Sequence, residues 1–136
     1  MSFRVHCPIE VRFRDCDAMG HVNNAVYLTY LEIARFAYWK AADIGRLEGD
    51  ISYPIARVEI DFRASAVTGD VIDVALAVRA IGKRSFTMEY EMRDQKDQLL
   101  VTARSVQVAY DYAAKQSVAV PDAIRARISE FEGVQL

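Results

Sequence analysis

The chain has 136 residues, 52% of them hydrophobic and 26% charged, which suits one domain with a core of its own. Seventeen Lys and Arg against nineteen Asp and Glu leave a formal charge of -2, so no electrostatic footprint of a nucleic-acid binder or of an anionic-membrane binder is present. Cys7 and Cys16 show no CxxC spacing, a usage that fits reduced thiols in the cytoplasm better than a disulfide framework.

From Phe3 to Phe13 the odd positions Phe3, Val5, Cys7, Ile9, Val11 and Phe13 alternate with polar even ones such as Arg4, His6, Glu10 and Arg12. This pattern predicts a half-buried strand rather than a signal peptide or a membrane span. Pro8 has no amide to donate, so the strand is expected at a sheet edge or at a bulge. From about Asn23 to Asp43 no breaker interrupts the chain, and Leu28, Leu31, Ala34, Tyr38 and Ala41 recur at helical spacing. Ile33 and Phe36 fall among Thr29, Glu32, Lys40 and Asp43, so most of this helix's circumference is apolar and something must cover it.

Beyond a connection from Gly45 to Ser52, four stretches carry the period of strands: PIARVEIDFRAS, DVIDVALAVRAIG, SFTMEYEMRD and LLVTARSVQVAYDY. Ile72, Val74, Leu76 and Val78 share one face of the second stretch, and Phe86, Met88, Tyr90 and Met92 one face of the third. DQKDQ reads as the hairpin turn that follows. Pro121 and Gly133 bracket a short terminal helix, PDAIRARISEFEG. An α+β domain spanning residues 1–136 follows, with antiparallel strands curled around one long helix. One helix covers one face of such a sheet, and Val71, Ala75 and Ala77 leave apolar surface on the other, which predicts a homo-oligomer.

Chemistry concentrates in DCDAMGHVNN, between the first strand and the helix. Asp, Asn and Gly here suit a plain loop and cap, with Asn23 or Asn24 holding the first-turn amides. A metal site is not expected, since the chain holds two His and the ligand spacing matches no usual pattern. A sharper reading sets Asp17 beside a helix N-terminus, whose unpaired amides can stabilise an oxyanion. Asp17 could then attack a carbonyl directly or deprotonate a water.

The stretch FRDCDAMGHVNNAVYLTYLEIARFAYW resembles the signature of the hotdog-fold acyl-CoA thioesterases, the 4-hydroxybenzoyl-CoA thioesterase and YbgC/FadM-like group, through its D-x-D-x-x-G-H-V-N-N-x-x-Y-L…E-x-A-R spacing. The likeness continues through VEIDFRASAVTGDVIDV and AIGKRSFTMEYEM. It implies a hotdog fold with strand order 1-3-4-5-2, assembly into dimers or tetramers, and hydrolysis of acyl-CoA to free acid and CoA without a metal or redox cofactor. Asp17 takes the position of the catalytic carboxylate, as nucleophile or general base, and Asn24 that of the backbone amide that polarises the thioester carbonyl. Asp15 becomes a supporting residue.

Gly20 would permit close substrate approach or a positive φ. In the plant acyl-carrier-protein thioesterases, which are similar over this motif, a histidine at the position of His21 takes part in catalysis with an asparagine two residues earlier. Met19 stands there instead, so His21 either orients water or carbonyl, or braces the loop. Asn23 departs from the aromatic residue of the hydroxybenzoyl enzymes, which favours an aliphatic acyl chain, and Tyr27 is a candidate for the pocket wall. Lys83, Arg84 and Ser85 occupy the segment that binds CoA phosphates, often across a subunit boundary, with Arg57 and Arg63 as further candidates. Glu32 and Arg35 sit one turn apart and can pair along the helix, and Glu32 is structural on this reading. Three alternatives share the fold: a non-catalytic acyl-CoA sensor, an acyl-carrier-protein thioesterase and a dehydratase.

Overall fold

A computed structural model describes residues 2–45 and 51–136. The elements in chain order are β1 (Val5–Glu10), α1 (Asn24–Ala41), β2 (Ile51–Ser52), β3 (Ile55–Phe62), β4 (Val71–Ile81), β5 (Ser85–Arg93), β6 (Leu99–Val108), β7 (Tyr110–Asp111), β8 (Gln116–Ser117) and α2 (Asp122–Glu132). A 3-10 turn, Phe13–Asp15, sits between β1 and α1. The main sheet is antiparallel with order β1-β4-β5-β6-β3. Counting only its own members, this is the expected order 1-3-4-5-2. Residues 46–50 of the Gly45 to Ser52 connection lie outside the described residues.

The alternation in β4 and β5 translates directly into burial. Ile72, Val74, Leu76, Val78, Phe86, Met88, Tyr90 and Met92 are all buried on the face that meets α1. The helix answers with Tyr27, Tyr30, Leu31, Ala34 and Tyr38, each large side chain contributing about 2 kcal/mol of transfer free energy. The buried stripe is thus rotated from the expected one, because Leu28 faces outward together with Ile33 and Phe36. Pro8 lies in β1, which among the described residues pairs only with β4 and forms one edge of the sheet, the position expected for a strand that contains proline. Phe13 departs from the alternation: β1 ends at Glu10, and the 3-10 turn swings Phe13 into solvent.

The outer face of the sheet differs from expectation. Ala75 and Ala77 are buried there, because their methyl groups lie below the longer His6, Glu91 and Glu89 on the neighbouring strands. Around them charges pair: Arg104 with Glu89 at 3.0 Å, Arg93 with Glu91 at 3.5 Å, and Arg57 with Glu59. Val71 does stay exposed at the start of β4, and further exposed apolar side chains lie on α1 and β3, at Leu28, Ile33, Phe36, Ile55, Val58 and Phe62.

The small second sheet and the contacts of Glu132 escape a reading of periodicity, whereas the terminal helix is found where Pro121 and Gly133 bracket it. Ala109 ends β6 early, and the chain continues into a small second sheet of order β2-β7-β8. The terminal helix begins at Asp122 after Pro121, is stopped by Gly133 at φ 75°, and buries Ile124 and Ile128. Its last residue, Glu132, reaches β4 where β1 no longer covers it. One carboxylate oxygen accepts the Val78 amide at 2.9 Å and the Tyr38 hydroxyl at 2.7 Å. Burial, with the Glu132 carboxylate alongside, raises the Tyr38 pKa, so the phenol stays a donor. Tyr38→Phe removes that donor, and urea denaturation is expected to show a loss of about 1–2 kcal/mol.

Candidate functional site

The loop between β1 and α1 is held from beneath by Asp15. Its side chain, 3% exposed, accepts the Arg12 amide at 3.0 Å, the Arg12 guanidinium at 2.9 Å and the Tyr30 hydroxyl at 2.8 Å. Its backbone carbonyl accepts the Asn23 amide at 2.9 Å. The Arg12 hydrogen bonds, helped by Tyr30, lower the carboxyl pKa to about 2 against the cost of burial. One carboxylate therefore ties the strand end, the 3-10 turn and the first turns of α1 into a single unit.

Above that anchor the chain makes a tight excursion. The Asp17 amide donates to the His21 carbonyl at 2.8 Å, and the Gly20 amide to the Asp17 carbonyl at 3.0 Å. Asp17 Oδ1 accepts the amides of Met19 at 2.9 Å and His21 at 3.4 Å. Gly20 adopts φ 82° with open space around its Cβ position, so the turn requires its backbone freedom, not its small size. Val22 and His21 then bridge to Ala66 and Val67, beyond the end of β3.

The helix starts at the same place. Asn23 is its N-cap, and Asn23 Oδ1 accepts the Ala25 amide at 2.9 Å. That leaves the Asn24 amide without an acceptor among the described residues, at the positive end of an 18-residue helix. Asp17, His21, Asn24 and Tyr27 line one cavity of about 240 Å³ together with Phe62, Arg63 and Ser65. Tyr27 is buried as its wall: its hydroxyl accepts the Ala66 amide at 3.3 Å, and its ring meets Phe62 at 5.5 Å between centroids. The His21 ring makes no hydrogen bond among the described residues.

A carboxylate, an unsatisfied helix-start amide and an imidazole around one small cavity are equipment for acyl transfer. The family model of the thioesterase-like superfamily matches residues 11–128. The chain belongs to this superfamily. Structurally it is similar to a thioesterase of Thermus thermophilus solved in complex with coenzyme A and Zn, at 34% identity and TM-score 0.86, covering 98% of each chain. Among curated proteins, the acyl-CoA thioesterase YbgC of Haemophilus influenzae is 27% identical, over 88% of this chain and 90% of that protein. The long-chain acyl-CoA thioesterase FadM of Escherichia coli is 24% identical, over 90% of this chain and 96% of that protein. The sheet, its wrapped helix and these neighbours make the fold a hotdog, and the superfamily makes the protein a thioester hydrolase.

Not every residue expected from the superfamily signature meets in one chain. Lys83, Arg84 and Ser85 form the β4–β5 turn, at the opposite end of β4 from Asp17, roughly 30 Å away at about 3.3 Å per residue. The Arg84 guanidinium donates to the Ser117 carbonyl at 2.9 Å, which fixes it against β8. Asn23 is occupied as a cap and does not line the cavity, whereas Arg63 does. Phe62 and Ser65 went unnoticed in the sequence: they lie where β3 ends, and only the tertiary fold carries that end to the helix start.

Proposed function

We propose that the protein hydrolyses acyl-CoA, taking an acyl group on the sulfur of coenzyme A to a free carboxylic acid and the CoA thiol. The observation that supports this reading is that Asn24, whose amide has no acceptor among the described residues, lines the same cavity as Asp17. The thioester carbonyl would sit against the amide, which stabilises the oxyanion as the carbonyl carbon turns tetrahedral. Asp17 supplies the attacking oxygen, its own or that of a water it deprotonates. Collapse breaks the C–S bond, the thiolate takes up a proton, and, on the anhydride route, a water then releases the acid. On this reading His21 orients the water or the carbonyl, Tyr27 walls the approach, and Gly20, which does not line the cavity, acts through the turn it allows. No cofactor is required beyond the coenzyme A that the substrate carries.

The working unit in this proposal is a homo-oligomer, a dimer or a dimer of dimers. Among the described residues β3 pairs only with β6, so its outer edge is open there, and Ile55, Val58 and Phe62 are exposed on it beside Leu28 and Phe36 of α1. A two-fold axis that sets β3 against β3 of a second copy reverses the strand direction. It carries the Lys83, Arg84 and Ser85 turn of the second copy to the Asp17 end of the first, where the two cations could meet the CoA phosphates. With Cys7 and Cys16 both unpaired, the cytoplasm is the compartment we assign, and neither nucleic acid nor a membrane is a partner.

Thiol release from a panel running from acetyl-CoA through long-chain to aromatic acyl-CoA tests the activity, with the fastest turnover expected among aliphatic esters. Absence of turnover across the panel would refute the proposal. Val58→Arg places a charge on the open edge strand. Sedimentation is expected to show the wild type as a dimer or larger and the variant as a single chain, with turnover at least tenfold lower and the fold retained by circular dichroism. A variant that stays assembled, or a single chain with full activity, would remove the second copy from the site.

A further inference from the structure

The segment that leaves β3 is fastened residue by residue. The amides of Arg63 and Ala64 donate to the Leu100 carbonyl at 2.8 and 3.2 Å, and the Ala66 carbonyl accepts the Val22 amide at 2.9 Å. The Ala66 amide donates to the Tyr27 hydroxyl, and the Val67 amide to Asp70 Oδ2 at 3.0 Å. Between these ties stands Ser65. Neither its amide nor its hydroxyl has a hydrogen-bond partner among the described residues, and it lines the cavity that holds Asp17 and the Asn24 amide. Ser65 is exposed, yet its neighbours Ala64 and Ala66 are tied on both sides, and Asn24, whose amide also lacks an acceptor among the described residues, lines the same cavity.

We propose that Ser65 is a further catalytic residue, whose hydroxyl donates a hydrogen bond to the thioester carbonyl oxygen from the side opposite the Asn24 amide. The inference rests on the acyl-CoA hydrolase reading. An oxyanion held by a single amide is half-solvated by protein, and a second fixed donor strengthens as negative charge develops on the oxygen. Two donors come from separate parts of the fold, the start of α1 and the exit of β3. The His21 and Val22 bridges to Val67 and Ala66 set the spacing between them. Ser65 moves no proton and forms no covalent bond. Its donation favours the tetrahedral state over the bound ester, so its removal should lower kcat and leave KM nearly unchanged.

The test compares wild type, Ser65→Ala, Ser65→Thr and Asp17→Asn on the best ester of the panel. Ser65→Ala is expected to lower kcat by ten- to a hundredfold with KM within twofold and an unchanged melting temperature, and Ser65→Thr to keep most of the activity because it keeps the hydroxyl. Isotope-edited infrared spectra of the ester bound to Asp17→Asn should show a lowered carbonyl stretch that moves back up when Ser65→Ala is added. A kcat unaffected by Ser65→Ala, or a carbonyl stretch that stays put, overturns the role of Ser65 alone. Wild type that turns over no thioester overturns the hydrolase reading and this inference with it.

Discussion

Asp17→Asn is expected to lower kcat for acyl-CoA hydrolysis by about a thousandfold, the largest activity effect of any single substitution in the chain. The substitution is well suited to isolate chemistry from structure. Asp17 is exposed, and what it gives the fold is Oδ1, the acceptor for Met19 and His21. An asparagine keeps that oxygen and loses only the ability to attack or to take a proton. The melting temperature should therefore stay within a few degrees, and bound ester should accumulate without release of thiol. A variant with full activity would show that Asp17 is not the reacting carboxylate. Wild type that binds acyl-CoA without turning it over would favour a sensor built on the same fold.

The largest stability effect is expected two residues earlier. Asp15→Ala strips the Arg12 amide, the Arg12 guanidinium and the Tyr30 hydroxyl of their shared acceptor, and should cost about 3 kcal/mol at neutral pH. The pH dependence separates this from a plain packing loss. The Asp15 pKa falls from 3.8 to about 2 on folding, so the unfolded chain binds the proton more readily. The stabilisation is complete above the unfolded value and is lost as pH falls from there through about 2. Urea midpoints of wild type and Asp15→Ala should accordingly converge on acidification across that window. A gap that stays constant would assign the loss to packing instead.

The same pair of aspartates shows what a sequence can and cannot disclose. The strands were legible because Phe86, Met88, Tyr90 and Met92 alternate against polar neighbours, and burial on one face of a pleated sheet has that period. Strand order and the polar loop before α1 followed from the signature around DCDAMGHVNN. The anchoring role of Asp15 was visible only as support, since its partner Tyr30 lies in another element and no spacing encodes a bond between them.

The helix was legible in length, yet its buried side was misjudged by Leu28. An almost wholly apolar circumference carries little orientational signal, and packing against β4 and β1 decides the matter. β2, β7 and β8 are each two residues long, too short for any period. Glu132 reads as a surface acid near a helix end, and its burial follows from an uncovered amide on β4 that only the register reveals. Ser65 is hidden for the same reason: a serine after a strand carries no mark until the fold sets it across from α1.

The two backbone amides that grip Asp17 Oδ1 have a consequence for how the site spends entropy. Fixing a polar side chain costs up to about 1 kcal/mol in lost rotamers, and here that loss is incurred on folding rather than at each encounter with a ligand. The carboxylate is held through Oδ1 on a loop closed by its own hydrogen bonds, and its second oxygen has no hydrogen-bond partner among the described residues. Under the proposed function, an acyl-CoA would meet a carboxylate already held through one oxygen by the backbone, so less of its orientation is left to be fixed on binding.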